Sequence, residues 1–324
     1  MKNRKLPTIE ALLKHLADES QPLSVAKLYA LSNLEKDDVE RVQAAWPTLP
    51  GERRSAAMRH LVDITETNFE VNFEPVFRLA LDDAEPSVRE AALDGLSEDE
   101  DPALIPALVR LMHSDPAEEV RAAAAGALGH FVYLDEIEEI SPDRITPALQ
   151  ALRTTIASTT EPIAVRRRAV EAISFSGAED MPDIIRQAYA SPDETMRVSA
   201  VFAMGSSADE QWIDTIISEL EAQSPAMRYE AARAAGELEA RNAVPTLARL
   251  LDDPDIEVQT MAVWALGQIG GDRARKLLVQ VTQGNDEALA EAATEALGEM
   301  DWMHSLERDM PLFVFDPHAD EEDE

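Results

Sequence analysis

Metal ligation and proton shuttling would fall first to the six histidines, His15, His60, His113, His130, His304 and His318. Two ligands on one helix share a face only when they lie three or four residues apart. No two of these histidines do, and none directly precedes a glutamate. The chain has no cysteine, which removes thiolate nucleophiles, thiolate metal sites and disulfides. It also lacks a Gly-x-Ser-x-Gly nucleophile elbow. Gly267-Gln268-Ile269-Gly270-Gly271 follows a helical pattern, not a strand, so it reads as a helix stop and not a phosphate cradle. The 63 aspartates and glutamates single out no acid/base pair. The expectation is therefore no catalytic residue, no metal, no cofactor and no enzymatic activity. What remains is binding chemistry, carried by aromatic rings and arginines, the usual interface anchors.

The elements that must position those anchors follow one repeat. Ala57, Ala92, Ala124, Ala169, Ala200, Ala231, Ala262 and Ala293 are spaced by 35, 32, 45, 31, 31, 31 and 31 residues. Each sits in a version of one phrase, clearest in Val88-Arg89-Glu90-Ala91-Ala92 and Val120-Arg121-Ala122-Ala123-Ala124. Apolar residues lie four before and four after most of these alanines, which is one face of a helix. A small alanine between them lets a neighbouring helix come close. Upstream of each phrase runs a second apolar helical stretch, such as Leu104 to Met112, with proline recurring near its start at Pro75, Pro106, Pro147, Pro182 and Pro245. Gly129, Gly205, Gly236, Gly267 and Gly298 read as stops after the second helix. A fixed period near 31 predicts an all-α solenoid, a right-handed α-α superhelix of about eight helix pairs.

Helical phase then picks out the anchors. With the Arg column of the phrase at zero and about 100° per residue, the apolar positions cluster near 240–340°. Positions one and five after the Arg fall near 100° and 140°, opposite the core, on the concave side expected of the superhelix. They are polar at both ends of the array. In the middle they read Val198, Phe202, Tyr229, Arg233 and Trp264, an aromatic and arginine patch over three repeats and the candidate partner-binding site.

Net charge is −34, and the last nine residues account for only −6 of it. The acidity belongs to the body, which argues against nucleic-acid backbones and anionic membranes as partners. The basic start Met1-Lys2-Asn3-Arg4-Lys5 is followed by no apolar signal-peptide core, and no stretch approaches a membrane span, so a cytoplasmic protein is expected. Residues 1–50 read as an N-terminal helical cap and 51–300 as repeats. An insert near 131–146 makes the long 45-residue spacing, most simply as an elongated repeat. Residues 301–324 read as an apolar segment, Pro311 to Phe315, and an acidic disordered tail.

The Val-Arg-x-x-Ala phrase, the Asp-x-x-Pro-type turns and the 31-residue period resemble HEAT-like repeats of the phycobilisome-lyase type over roughly residues 35–298. The resemblance implies that the Arg column (Arg54, Arg89, Arg121, Arg166, Arg197, Arg228) is structural, pairing with turn aspartates in a ladder between repeats. Asp83 and Asp115 fit that ladder; Ser191 and Ala222 occupy the matching turns without a carboxylate. Some proteins of this kind are iron-dependent hydroxylases, but those carry repeated His-Glu pairs, and others are DNA-repair glycosylases, which need a basic groove. The expected function is a non-catalytic scaffold that binds another protein or peptide. The alternative implied by the resemblance is a bilin lyase or isomerase subunit acting on a phycobiliprotein chromophore, which a red-shifted spectrum on mixing with a linear tetrapyrrole would reveal.

Overall fold

The computed structural model describes residues 6–309, with side chains described as far as residue 302. His318, the Pro311 to Phe315 segment and the acidic end lie outside the described residues. Among those residues the fold is all-helical, with no strand. Three short helices, α1 (Ile9–Ala17), α2 (Val25–Leu28) and α3 (Lys36–Ala45), lead into α4 (Gly51–Thr67). Helix pairs then repeat: α5 (Glu74–Ala80) with α6 (Pro86–Gly95), α7 (Ile105–Ser114) with α8 (Glu118–Glu136), and α9 (Pro142–Ala157) with α10 (Ile163–Ile173). They continue as α11 (Met181–Tyr189) with α12 (Glu194–Ser206), α13 (Ile213–Glu219) with α14 (Pro225–Glu237), α15 (Val244–Leu250) with α16 (Ile256–Ile269), and α17 (Gly271–Val281) with α18 (Glu287–Asp309). Counting α3 with α4, this makes eight pairs among the described residues. The chain divides into two compact units, one ending at Ala203 and one beginning at Met204.

Within each unit the second helices pack side by side. In the first, α4, α6, α8 and α10 contact in order; in the second, α14, α16 and α18 do. All eight alanines of the repeat phrase are fully buried, as their spacing predicts. The 45-residue interval is filled by an elongated pair of neighbouring helices from successive repeats: α8, the second helix of its repeat, runs for 19 residues and α9, the first of the next, for 16. Because α9 starts early, at Pro142, Pro147 falls inside it and not at its first turn.

The recurrent glycines do something other than stop helices. Gly129, Gly205, Gly236, Gly267 and Gly298 all lie within helices, and positive φ among glycines occurs only at Gly270 and Gly271. Gly270 does end α16 and, at φ 65°, opens α17. Gly129, Gly205, Gly236 and Gly267 permit close approach between second helices, whereas a Cβ on Gly298 would meet nothing within 4 Å. A Cβ on Gly205 would stand 2.8 Å from the Cα of Ala234, and one on Gly236 would stand 3.0 Å from the Cα of Ala265. Sequence spacing does not separate the two uses, because a glycine four residues before a helix end and one just past it look alike without the helix boundary.

The arginine column forms the expected ladder. Arg54 binds Asp83 through Nε and Nη2 at 2.8 and 2.9 Å, and Arg89 binds Asp115 at 2.7 and 2.6 Å. In the second unit Arg228 binds Asp253 in the same fork, at 2.7 and 2.8 Å. Each aspartate also accepts an N–H two residues on, from Glu85, Ala117 and Asp255, so it caps its own turn. Arg89, Arg121, Arg197 and Arg228 reach back to the carbonyl six residues earlier, as Arg89 does to Asp83 at 2.6 Å and Arg197 to Ser191 at 3.0 Å, while Arg166 reaches the Ile156 carbonyl instead. At the elongated pair the partner changes: Arg121 binds Glu161 at 2.6 Å. Gln259, where the column loses its arginine, keeps the backward bond to the Asp253 carbonyl.

Candidate functional site

The phrase that builds the ladder also fixes which side chains leave the core. Residues five after the arginine column are exposed at the ends of the array, at Arg59, Asp94 and Glu295, while residues one after it range from buried Ser55 and half-buried Glu90 to exposed Glu291. In the middle they are half-buried: Val198, Phe202, Tyr229, Arg233 and Trp264 all fall between the buried and the exposed extremes. Two of these large side chains, Phe202 and Trp264, lean sideways onto residues of the preceding repeat, Phe175 and Gly236. That lateral support was not visible from helical phase, which treats each helix alone.

In the first unit, Val198 and Phe202 are four residues apart on α12 and share a face. The Phe202 ring meets Phe175 edge-to-face, with centroids 6.2 Å apart and planes at 85°. Phe175 meets Tyr133 in the same manner, at 6.2 Å and 76°. Aromatic rings from α12, the end of α10 and the end of α8 thus form one row, in the geometry such pairs prefer. Tyr133 had been legible only as part of the insert, and Phe175 was missed. Both continue the helical phase of Phe202. They lie twelve and nine residues after Arg121 and Arg166, at about 120° and 180°, close to the roughly 140° of Phe202. Running the wheel past the last core position would have found them.

Glu171, the residue of α10 that corresponds to Phe202 of α12, is buried and fully engaged. Arg167 donates to it at 3.1 Å, Arg168 at 2.6 Å, and the Ser199 hydroxyl also donates to it. The Arg168 guanidinium lies across Gly126 of α8. Beside it, a groove of about 430 Å³ runs over the small residues Ala122, Ala123 and Gly126, with Glu90 and Asp94 on one side and Arg167 and Arg168 on the other. Burial, reinforced by the charges of Asp94 and Glu119, pushes the Glu90 carboxyl above the usual carboxylate range.

In the second unit, Tyr229 and Arg233 are four residues apart on α14, and Trp264 lies on α16. The Trp264 ring sits flush on Gly236: a Cβ there would be 2.6 Å from Cζ3. Arg233 is held by both Glu230 and Glu237 on its own helix, at the three- and four-residue spacings that allow such pairs. The Trp264 ring and the Arg233 guanidinium are therefore ordered in advance by their neighbours, which lowers the entropy lost on binding. No group of three or more His, Asp or Glu among the described residues is placed to hold a metal ion. None of the described helices is long and apolar enough to cross a membrane.

A family model for HEAT repeats matches residues 74–155 and 213–298, together more than half of the chain. No curated protein matches the sequence. Among solved structures, human deoxyhypusine hydroxylase in complex with glycerol is similar at 18% identity. That match covers 91% of this chain and 96% of that chain, with a TM-score of 0.36. An engineered protein is similar at 20% identity over 61% of this chain and 96% of its own, with a TM-score of 0.41. Importin beta is similar at 16% identity over 90% of this chain and 46% of its own, with a TM-score of 0.45.

Proposed function

Because the chain belongs to the HEAT repeat family, we propose that it is a non-catalytic, cytoplasmic scaffold that binds a partner protein or peptide on its second-helix faces. The carrying observation is the set on α14 and α16, where Tyr229, Arg233 and Trp264 keep part of their surface in water while Glu230 and Glu237 hold Arg233 and Gly236 seats the Trp264 ring. Interfaces draw most of their affinity from a few such rings and arginines. Val198 and Phe202 offer a second contact of the same kind on the first unit. Nucleic acid and anionic membranes are disfavoured as partners by a net charge of −34.

The test is recovery of partners from native lysate by the intact protein and by Tyr229→Ala and Trp264→Ala. Each ring is only half-buried, so each variant is expected to stay folded and to lose less than the roughly 3–5 kcal/mol of a fully buried aromatic. At least one protein captured by the wild type is expected to fall about five-fold or more in both variants, as for hot-spot rings. Recovery of the same proteins in the same amounts by all three would remove these residues from the interface.

A further inference from the structure

The elongated pair carries an apolar surface that the ring row explains. Tyr133 and Ile137 lie four residues apart at the end of α8, and at 47% and 46% exposure they are among the most open large apolar residues of the first unit. Ile137 falls near the same helical phase as Tyr133, at about 160° from the arginine column. Behind them stand Phe175 and Phe202, locked edge-to-face, so the surface has a rigid floor. Its edge is acidic: Glu136, Glu138 and Glu139 are exposed, and residues 133–139 contain no lysine or arginine. Burial, and after it the neighbouring Glu136 charge, push the Asp135 carboxyl upward. A second copy of this chain would bring more of the same charge, and phosphate-bearing partners would be repelled.

We infer that the row formed by Tyr133, Ile137, Phe175 and Phe202 is a docking surface for a basic helical segment of a partner protein, its apolar side chains on the rings and its lysines or arginines against Glu136, Glu138 and Glu139. Neighbouring rings 6.2 Å apart are spaced close to one turn of a partner helix, about 5.4 Å. Anchors at i, i+4 and i+7 would meet the row in turn. This rests on the reading that second-helix faces bind protein, and it names the partner chemistry for one of them.

The probe is a fluorescein-labelled peptide of about 15 residues with leucine at those spacings and lysine elsewhere, near helix-forming length. A second peptide replaces every lysine by glutamate. Anisotropy at roughly 0.15 M salt is expected to show binding of the lysine peptide at least about ten-fold tighter than the glutamate one. Tyr133→Ala/Ile137→Ala should weaken the lysine peptide about five-fold or more, because both side chains are exposed anchors. Glu138→Lys/Glu139→Lys should weaken it further. The charge-matched control Glu210→Lys/Asp214→Lys, at exposed positions of the other unit, should leave it within about two-fold. Equal loss in that control, or unchanged binding by Tyr133→Ala/Ile137→Ala, would show a general charge attraction and overturn the site. No binding of the lysine peptide would overturn it as well. Neither outcome touches the Trp264 test, which uses a native partner and the other unit.

Discussion

Replacing Arg89 with alanine is expected to lower stability by about 3–5 kcal/mol, the cost of leaving one member of a buried ion pair alone. Arg89 and Asp115 are both nearly inaccessible, at 8% and 4% side-chain exposure, and bind each other through two short bonds. The loss should concentrate in α6, α8 and the turn between α7 and α8 that carries Asp115, because repeat stability is close to a sum of nearest-neighbour terms. Hydrogen exchange reads this directly: protection should fall in those helices and much less in α16. Arg89→Leu/Asp115→Leu should recover a large part of the loss, since a well-packed apolar pair can replace a buried ionic one. Uniform loss across the chain, or no loss, would mean that the ladder does not couple adjacent repeats. The same rung sets an acid limit. Burial pushes the Asp115 carboxyl up, but the bonds from Arg89 and the Ala117 N–H, with the charges of Arg89 and Arg121, outweigh it and hold it below its ordinary value. Its contribution is therefore complete above the unfolded carboxylate value of about 3.9 and is lost as pH falls through the lower folded one.

Gly205→Ala is expected to destabilise by about 1–3 kcal/mol, the range for overpacking. An interior helical glycine normally gains about 0.5–1 kcal/mol on becoming alanine. Here the new Cβ would stand 2.8 Å from the Cα of Ala234 and 2.5 Å from Oε2 of Glu237, and the backbone contact cannot rotate away. Gly298 provides the internal control, because it occupies the matching position of α18 with nothing within 4 Å of a Cβ. Gly298→Ala should therefore raise the thermal midpoint while Gly205→Ala lowers it. Shifts of the same sign would contradict the assignment of Gly205 to a helix-helix contact.

These two cases mark what the residues reveal by themselves. The alanine column, the arginine ladder and the helix pairing were readable because each depends on short, periodic spacing. Asp83 and Asp115 were identified as rungs from lying six residues before Arg89 and Arg121, but each carboxylate binds the arginine of the preceding repeat, Arg54 or Arg89, and the arginine six residues on reaches only its carbonyl. The glycines at 129, 205, 236 and 267 were misread as helix stops, since their contacts come from alanines about 30–45 residues away, beyond the reach of local pattern. Trp264 and Arg233 were read as facing water opposite the core; both are half-buried, and the floor under the Trp264 ring and the acids holding Arg233 were not foreseen. Phe175 was missed because it lies just past α10, outside the positions used to set the phase.

The central claim is that the second-helix faces are where this scaffold meets its partner. A photo-crosslinking residue placed on that face, Tyr229→p-benzoylphenylalanine, tests it in native lysate against the same substitution at Asp214, an exposed residue of the first helix of that pair. The account predicts a discrete protein adduct from position 229, weak or absent adduct from position 214, and loss of the adduct when Trp264→Ala is added. Equal adducts from both positions, or an adduct from 229 that survives Trp264→Ala unchanged, would contradict it.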